Sequence, residues 1–442
     1  MTTTTNLSPA RRFITWVAPI EPREINAVVA AFFLFFFMWY GYFSVRPVRE
    51  AIGTQLGRDT VTALWWYNAA FSLLLIPLYG SIVGRFRRST FLPWIYGCVG
   101  IALALVGFSK GAGDFNPLVG KTFYVFISVV NLLLLSMFYS FLLEIFDRGQ
   151  SKRLFGPIAA GGSLGAFIGP LLSDFMVRNL GIDGILYVAA GMFAAAIVCQ
   201  RVLLKIWSDR PGATSAAEDR PIGGNWWAGV PIILRSPYLV GIALFIVGIS
   251  AVSTILYFEQ LRVVGETFPD RVEQTRIFAR MDWIVQGSTV LIQLFLTGRI
   301  AARFGLQTLL TIVPVFMIVG FAVLAGSHSF LLFAGVFIAR RAGEYAFVRP
   351  GREMLWGPFD KETKYKAKNT IDVPVYRGAD AVGAQAANAL TTVGVTPNLM
   401  MLVGAGVAAL WGVVGWWLGK QYESGSAARR ATVGTVARES EA

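Results

Sequence analysis

Charged side chains inside apolar sequence are the residues of this chain best suited to bind a small molecule. Arg46 and Arg49 lie three residues apart near the end of a long apolar run, with Glu50 beside them. In a helix this spacing places both guanidinium groups on one face, where they form a fork that fits phosphate or carboxylate oxygens. A charge near the centre of a membrane helix costs about 2.5–3.5 kcal/mol, so it needs a partner, a cavity or a function. The pair therefore predicts a site for an anionic small molecule.

Other apolar runs also contain polar residues that could take part in binding. Arg377 and Asp380 are three residues apart and can neutralise each other, while Arg340 and Glu344 can form a salt bridge that gates the site. Tyr139 can stack on an aromatic base or pack in the protein core. We predict substrate-binding roles for Arg46, Arg49, Tyr139, Glu144, Arg377 and Asp380. We predict coupling or gating roles for Glu50, Arg340, Glu344 and Asp372.

Several kinds of chemistry lack the residues that they need. Cys98 and Cys199 both lie in apolar runs, where a cysteine acts as a small hydrophobic residue, so we expect no disulfide. His328 is the only histidine, which leaves too few ligands for a metal site and no base for Ser–His catalysis. The sequence has no phosphate-binding Gly-Lys-Ser/Thr loop. We therefore expect neither an enzyme nor a bound cofactor.

The elements that must position these residues are membrane-spanning helices. The 442 residues are 55% hydrophobic and 15% charged, with a mean hydropathy of +0.58, which excludes a soluble protein. A run of about 20 apolar residues is long enough to cross a bilayer as a helix. Twelve such runs are found, at residues 26–45, 62–83, 91–108, 122–143, 156–177, 183–204, 234–258, 280–301, 307–325, 330–348, 370–393 and 398–419. The predicted fold class is an all-α membrane protein with twelve transmembrane helices in two pseudo-symmetric six-helix bundles.

A polar stretch rich in proline, glycine and charged residues divides the runs into two sets of six. The predicted domains are a cytoplasmic N-terminal segment, an N-terminal bundle, a cytoplasmic linker, a C-terminal bundle and a basic cytoplasmic tail, at residues 1–25, 26–205, 206–233, 234–419 and 420–442. The net charge of +13 reflects basic cytoplasmic loops rather than a nucleic-acid partner. Both termini are therefore predicted to be cytoplasmic. Arg280 and Asp282 begin the eighth run, where they can reach the membrane surface.

The two halves of the sequence are similar to each other. Val-Gly-Arg-Phe at 83–86 recurs as Ala-Ala-Arg-Phe at 301–304, and Ser-Leu-Gly-Ala at 163–166 recurs as Ala-Val-Gly-Ala at 381–384. Both pairs are 218 residues apart. Two related six-helix bundles predict a transporter fold with a solute site between them.

Three glycines at four-residue spacing mark one face of the fifth predicted span. They are Gly161, Gly165 and Gly169. Such a face lets the backbone of another helix approach closely. Fixed tight packing is the first interpretation, and sliding of the two helices during transport is the alternative.

Longer strings of residues resemble known families. The loop at residues 80–88 resembles, in degenerate form, the loop after the second helix of the major facilitator superfamily. Strings that resemble the bacterial and plastid ATP/ADP antiporters, the nucleotide translocases, particularly the branch found in free-living bacteria, occur at 46–50, 138–147, 151–162, 349–353 and 364–372. This resemblance extends over roughly residues 20–420. It implies a major-facilitator-like exchanger in the bacterial inner membrane.

The resemblance also implies roles for single residues. Arg49 stands where the family has a functional lysine, and Glu144 matches the family's glutamate in the fourth span. Two positions differ, because Thr254 replaces a glutamate and Asp380 replaces a lysine. An anion in place of a cation repels a polyphosphate by several kcal/mol, unless Arg377, one turn away, supplies the missing charge.

We predict a secondary transporter that exchanges an anionic, nucleotide-like metabolite by alternating access and acts as a monomer without a cofactor. One alternative is a proton-coupled or facilitated carrier of a different organic solute, in which Glu144, Glu344 or Asp380 titrates. Another is a non-transporting membrane scaffold or sensor, whose polar residues only hold helices together. Uptake driven by a pH gradient would distinguish the first alternative, and the absence of ligand binding would distinguish the second.

Overall fold

A computed structural model describes residues 20–85, 88–109, 116–146, 148–208, 229–327, 329–359 and 361–425. The predictions for His328, for most of the linker, and for the outer parts of the N-terminal segment and the basic tail lie outside these residues.

All regular secondary structure in the described residues is helical. The α-helices are α1 (Ile25–Leu56), α2 (Arg58–Arg85), α3 (Arg88–Phe108), α4 (Pro117–Ile145), α5 (Arg148–Ser208), α6 (Gly229–Arg235), α7 (Pro237–Thr267), α8 (Arg271–Ile292), α9 (Gly298–Ala325), α10 (Phe330–Gly343), α11 (Arg349–Met354), α12 (Lys361–Thr370), α13 (Tyr376–Thr392) and α14 (Pro397–Glu423). The predicted all-α architecture is therefore confirmed for the part of the chain described.

Three of these helices begin with the same local signal. Asn116, Ser236 and Thr396 precede α4, α7 and α14, and each side chain accepts a hydrogen bond from a backbone N–H in the first turn. A proline follows each cap at the first helical position, where its missing N–H has no partner to lose. The polar residue before each proline therefore determines where the apolar run becomes a helix.

Two glycines break long helical stretches into separate spans. Gly181 interrupts α5 at φ 68°, and Gly305 interrupts α9 at φ 74°. Positive φ is unfavourable for residues with a Cβ, so glycine is suited to both positions. The break at Gly181 separates the predicted spans 156–177 and 183–204, and the break at Gly305 separates 280–301 from 307–325.

Three π-helical segments join α-helices end to end. They are Gln293–Thr297, Glu344–Val348 and Ile371–Val375. Such wider turns occur mostly as local insertions and often at functional sites. Two of the three contain predicted site residues, Glu344 and Asp372.

Seven helical stretches in the described residues are long and apolar enough to cross a membrane. Two of these stretches, Arg153–Trp207 and Arg271–Ala325, have 55 residues each, which is enough for two crossings at about 1.5 Å per residue. The chain is thus a multi-pass membrane protein. The number twelve stays a prediction.

Contacts within the chain define two compact units. The first contains residues 1–52, 75–222 and 270–283, and the second contains residues 53–74, 223–269 and 284–442. In the first unit α3 packs along α5, and in the second α14 packs against α9 and α7. Each unit includes a short segment from the other half of the sequence, which the predicted domains at 26–205 and 234–419 did not anticipate. Those domain boundaries stay a prediction.

Candidate functional site

The predicted arginine fork lies in the first unit, within an ion-pair cluster. Arg46 Nη1 is 3.4 Å from Asp282 Oδ1, and its Nε is 3.8 Å from Glu50 Oε1. Arg49 also pairs with Glu50. Two cations and two anions therefore meet in one largely buried group. An anionic ligand would have to compete with these carboxylates.

Asp282 is the member of this cluster that the sequence did not indicate. It was expected at a helix end, reaching the membrane surface, but that prediction is wrong because its residue is only 5% exposed. The first turns of α8 belong to the first unit, where Asp282 meets α1. A partner more than 200 residues away in the chain leaves no local spacing signal.

α4 holds the Arg49 guanidinium from a second direction. Arg49 Nη1 donates a hydrogen bond to Ser128 Oγ at 3.1 Å, and its Cζ is 5.5 Å from the centre of the Tyr124 ring. Ser128 in turn donates to the carbonyl oxygen of Tyr124 at 2.7 Å. The guanidinium is therefore orientated by a hydroxyl, a ring and a carboxylate together.

A second buried carboxylate of the first unit, Asp174, gathers four donors. Both Arg276 Nε and Arg280 Nε lie 3.1 Å from its oxygens, Arg280 Nη2 adds a contact at 3.1 Å, and Trp283 Nε1 donates at 3.2 Å. Asp174 is 3% exposed. Sequence reasoning passed over this residue, although an aspartate inside the fifth apolar run was a usable signal.

Tyr139 and Glu144 lie on α4, away from the arginine fork. The Tyr139 ring is 5.8 Å from Phe35 and 5.9 Å from Phe155, so its surroundings are those of core packing. Glu144 Oε2 is buried and has no hydrogen-bond partner in the described part of the chain. Glu144 is four to five helical turns beyond the Ser128 contact, or about 24 Å. The structure therefore does not bring it together with Arg49.

The second unit contains an arginine cluster around Glu344. Arg340 Nη2 is 2.8 Å from Glu344 Oε2 and also donates to Ser253 Oγ on α7. Arg349 Nε is 3.6 Å from Glu344 Oε1, with its guanidinium over the Tyr345 ring at 4.2 Å. The salt bridge between Arg340 and Glu344 that the spacing indicated is present in the structure. Ser253 is an additional member on another helix.

Arg377 and Asp380 form the pair that their spacing predicts. Arg377 Nη1 is 3.4 Å from Asp380 Oδ2. Asp380 Oδ1 accepts a hydrogen bond from Ser250 Oγ at 2.6 Å. The short contact to α7 is the stronger of the two by geometry, and the sequence gave no indication of Ser250.

Asp372 belongs to a separate group at the start of the same helical stretch. Its Oδ1 is 3.7 Å from Arg352 Nη2, and the same nitrogen lies 3.9 Å from Glu353 Oε1. Lys368 Nζ is 2.5 Å from Glu353 Oε2. The predicted residues of the second unit thus form three groups, around Glu344, Asp380 and Asp372.

Comparison with known proteins places these groups in a wider context. The family model described as Major Facilitator Superfamily matches residues 29–348. The ADP,ATP carrier protein 1 of Chlamydia muridarum is 24% identical over 100% of this chain and 97% of its own, and that of Chlamydia trachomatis is 21% identical over 98% and 96%.

Solved structures are similar in fold. A structure of the nucleoside transporter NupG has a TM-score of 0.62 with 14% identity, covering 90% of this chain and 98% of that one. A bacterial homolog of the human lysosomal transporter Spinster has a TM-score of 0.61 with 11% identity, covering 92% and 98%. The expected similarity to ATP/ADP antiporters and the major-facilitator-like fold are both confirmed.

Proposed function

We propose, since this chain belongs to the major facilitator superfamily of membrane transporters, that it exchanges an anionic, nucleotide-like metabolite across the bilayer by alternating access. The family supports transport as such. The anionic cargo and the exchange mode are the proposal. The gradients of the exchanged solutes would supply the energy.

The observation that carries the proposal is the excess of arginine around Glu344. Within ten residues of one helical stretch, Arg340, Arg341 and Arg349 accompany a single acid. Arg340, Arg341 and Glu344 are all buried. A buried basic excess in a membrane protein is costly, and an anionic cargo would offset it. Guanidinium groups also suit phosphate oxygens because they donate in pairs.

Ion pairing in both units supports exchange rather than one-way movement. Arg46 and Arg49 share Glu50 and Asp282, and Arg377 is paired with Asp380. In our proposal the cargo's anionic groups replace a carboxylate at an arginine, while Glu144 and Asp380 help to reset the empty carrier. A carrier whose buried charges are not matched by cargo reorientates at a cost, so a counter-substrate speeds its return.

The full-length relatives named ADP,ATP carrier proteins favour a nucleotide among anionic cargos. The aspartate at position 380, where that family has a lysine, would repel a polyphosphate. Arg377 lies 3.4 Å from it and offsets this charge. We therefore propose a nucleotide or a related sugar phosphate.

Exchange is tested with purified protein in proteoliposomes. Uptake of labelled ATP and ADP is measured with and without unlabelled nucleotide inside, and protein-free vesicles give the background. Uptake that requires internal nucleotide supports the proposal. Uptake driven by an imposed pH gradient without internal nucleotide would instead identify a proton-coupled carrier, and no nucleotide uptake by protein that remains folded would reject the nucleotide cargo.

Charge variants test the role of the arginine excess. Arg349→Gln removes a half-exposed guanidinium beside Glu344, and we expect exchange to fall about tenfold or more. The matched control is Arg201→Gln, since Arg201 is exposed on α5 outside these clusters. An equal effect of both variants would contradict a local role for Arg349.

We further propose that the protein is a monomer in the bacterial inner membrane, with both termini in the cytoplasm. A cysteine introduced by Ser424→Cys, just after α14, should react with an impermeant maleimide only in inside-out vesicles. Labelling from the periplasmic side of intact spheroplasts would overturn this orientation.

A further inference from the structure

We propose that Ser250, Thr254 and Asp380 form a subsite for a vicinal diol, the pair of neighbouring hydroxyl groups of a ribose-type sugar. This inference rests on the proposed nucleotide-like cargo and assigns its sugar to the second unit. Thr254 supplies the first observation. The residue is 1% exposed, and its Oγ1 has no hydrogen-bond partner among the described residues. A buried hydroxyl without a partner is unfavourable, and a ligand hydroxyl would satisfy it.

The three side chains lie at two adjacent levels where α7 packs against α13. At the first level Ser250 Oγ donates to Asp380 Oδ1 at 2.6 Å. At the next level, one turn further along each helix, Thr254 lies opposite Gly383. A Cβ built on Gly383 would be 3.5 Å from Thr254 Oγ1. The glycine therefore leaves space beside the unsatisfied hydroxyl.

The Asp380 carboxylate remains partly accessible in this arrangement. Its side chain is 18% exposed, and its Oδ2 is 3.4 Å from Arg377 Nη1. That distance is long for a charge-assisted hydrogen bond, so Oδ2 retains capacity to accept from a ligand. A carboxylate accepts through two oxygens, which suits two neighbouring hydroxyl donors.

The internal repeat shows that this polar surface is specific to the second half. The positions 218 residues before Ser250 and Thr254 are Phe32 and Phe36. The position equivalent to Asp380 is Gly162. The same scaffold positions thus carry rings or no side chain in α1 and α5 but hydroxyls and a carboxylate in α7 and α13. An acid would repel phosphate groups, so a neutral diol is the cargo group that fits it.

The test compares ligands that differ only in the diol. Displacement of labelled ADP from purified protein is measured with ADP, 2′-deoxy-ADP and 2′,3′-dideoxy-ADP. We expect wild type to bind ADP about tenfold or more tightly than the dideoxy compound, because a site built for hydroxyls rejects analogues that lack them. Thr254→Val and Asp380→Asn should each reduce this ratio several-fold.

The control is Thr289→Val, which removes a buried hydroxyl already bonded to Val285 O at 2.7 Å, and it should leave the ratio unchanged. Equal binding of ADP and dideoxy-ADP, or an unchanged ratio in Thr254→Val, would overturn the subsite while the nucleotide proposal stands. Thermal shifts with ribose 5-phosphate and its 2-deoxy analogue separate the opposite case. If ADP does not bind but these two differ, the nucleotide cargo is rejected and the subsite is supported. If none of these ligands binds, both proposals are overturned.

Discussion

The contact between α1 and α5 in the first unit and the contact between α7 and α13 in the second occupy equivalent positions of the repeat but differ in character. Gly165 faces Phe36, and Gly383 faces Thr254, and the two members of each equivalent pair are 218 residues apart. A Cβ on Gly165 would clash with the Phe36 carbonyl oxygen and lie 2.9 Å from Tyr40 N. A Cβ on Gly383 would be in ordinary contact, at 3.5 Å.

The side chains at the two contacts differ in the same direction. In α1, Phe35 stacks on Phe138 with ring centres 3.9 Å apart and planes 5° from parallel. Its repeat equivalent in α7 is Ser253, which contacts Arg340. The first unit uses this position for close apolar packing, and the second uses it for hydrogen bonds. The comparison teaches that a duplicated helix pair can retain its geometry while one copy becomes structural and the other polar.

The largest expected effect comes from giving α1 the residue of α7. Phe35→Ser removes a buried stacked ring, and we expect a loss of about 3–5 kcal/mol in the free energy of unfolding because a cavity remains. The measurement is the unfolding midpoint of the purified protein in detergent. Phe33→Ser is the matched control, since Phe33 is 43% exposed. Equal losses in both variants would show that Phe35 is not part of a fixed core.

The glycine pair tests the same comparison through the backbone. Gly165→Ala should destabilise the protein by about 2–3 kcal/mol, because the atoms that the new methyl group meets belong to the α1 backbone and cannot rotate away. Gly383→Ala should cost well under 1 kcal/mol by the same measure. Thermal unfolding of the two variants side by side decides the matter. Tolerance of alanine at Gly165 would favour sliding of α1 on α5 over fixed packing.

Ser253 tests the polar side of the comparison. Ser253→Ala removes the hydroxyl that Arg340 contacts, and a hydrogen bond to a charged group contributes about 1.5 kcal/mol. We therefore expect about a tenfold fall in nucleotide exchange by proteoliposomes. Ser163→Ala is the control, because Ser163 is exposed and contacts only its own helix. Unchanged exchange in Ser253→Ala would place this contact outside the transport path.

The smallest effect is expected at Thr254. Thr254→Val keeps the shape of the side chain and removes a buried hydroxyl that has no hydrogen-bond partner among the described residues. We expect the free energy of unfolding to rise by up to about 1 kcal/mol, since the hydroxyl's desolvation cost disappears. Calorimetric unfolding without ligand measures this change. A clear loss of stability would mean that the hydroxyl serves the folded state rather than a ligand.

Contacts within one or two helical turns followed from spacing alone. Arg377 with Asp380, and Arg340 with Glu344, are pairs three and four residues apart, and both occur in the structure. Helices, breaks and the membrane setting could also be predicted, because hydropathy, prolines and glycines act locally. The equal offset of Gly165 and Gly383 was likewise readable in the sequence.

Only the tertiary structure showed which distant residues complete each cluster. Asp282 joins Arg46, Asp174 gathers Arg276 and Arg280, and Ser250 donates to Asp380. The physical reason is that a helix determines neighbours at three and four residues by its own geometry, whereas partners on other helices depend on how those helices pack. The sequence by itself therefore determined a duplicated helical membrane protein with buried arginines and acids, and the packing decided which of these charges neutralise one another.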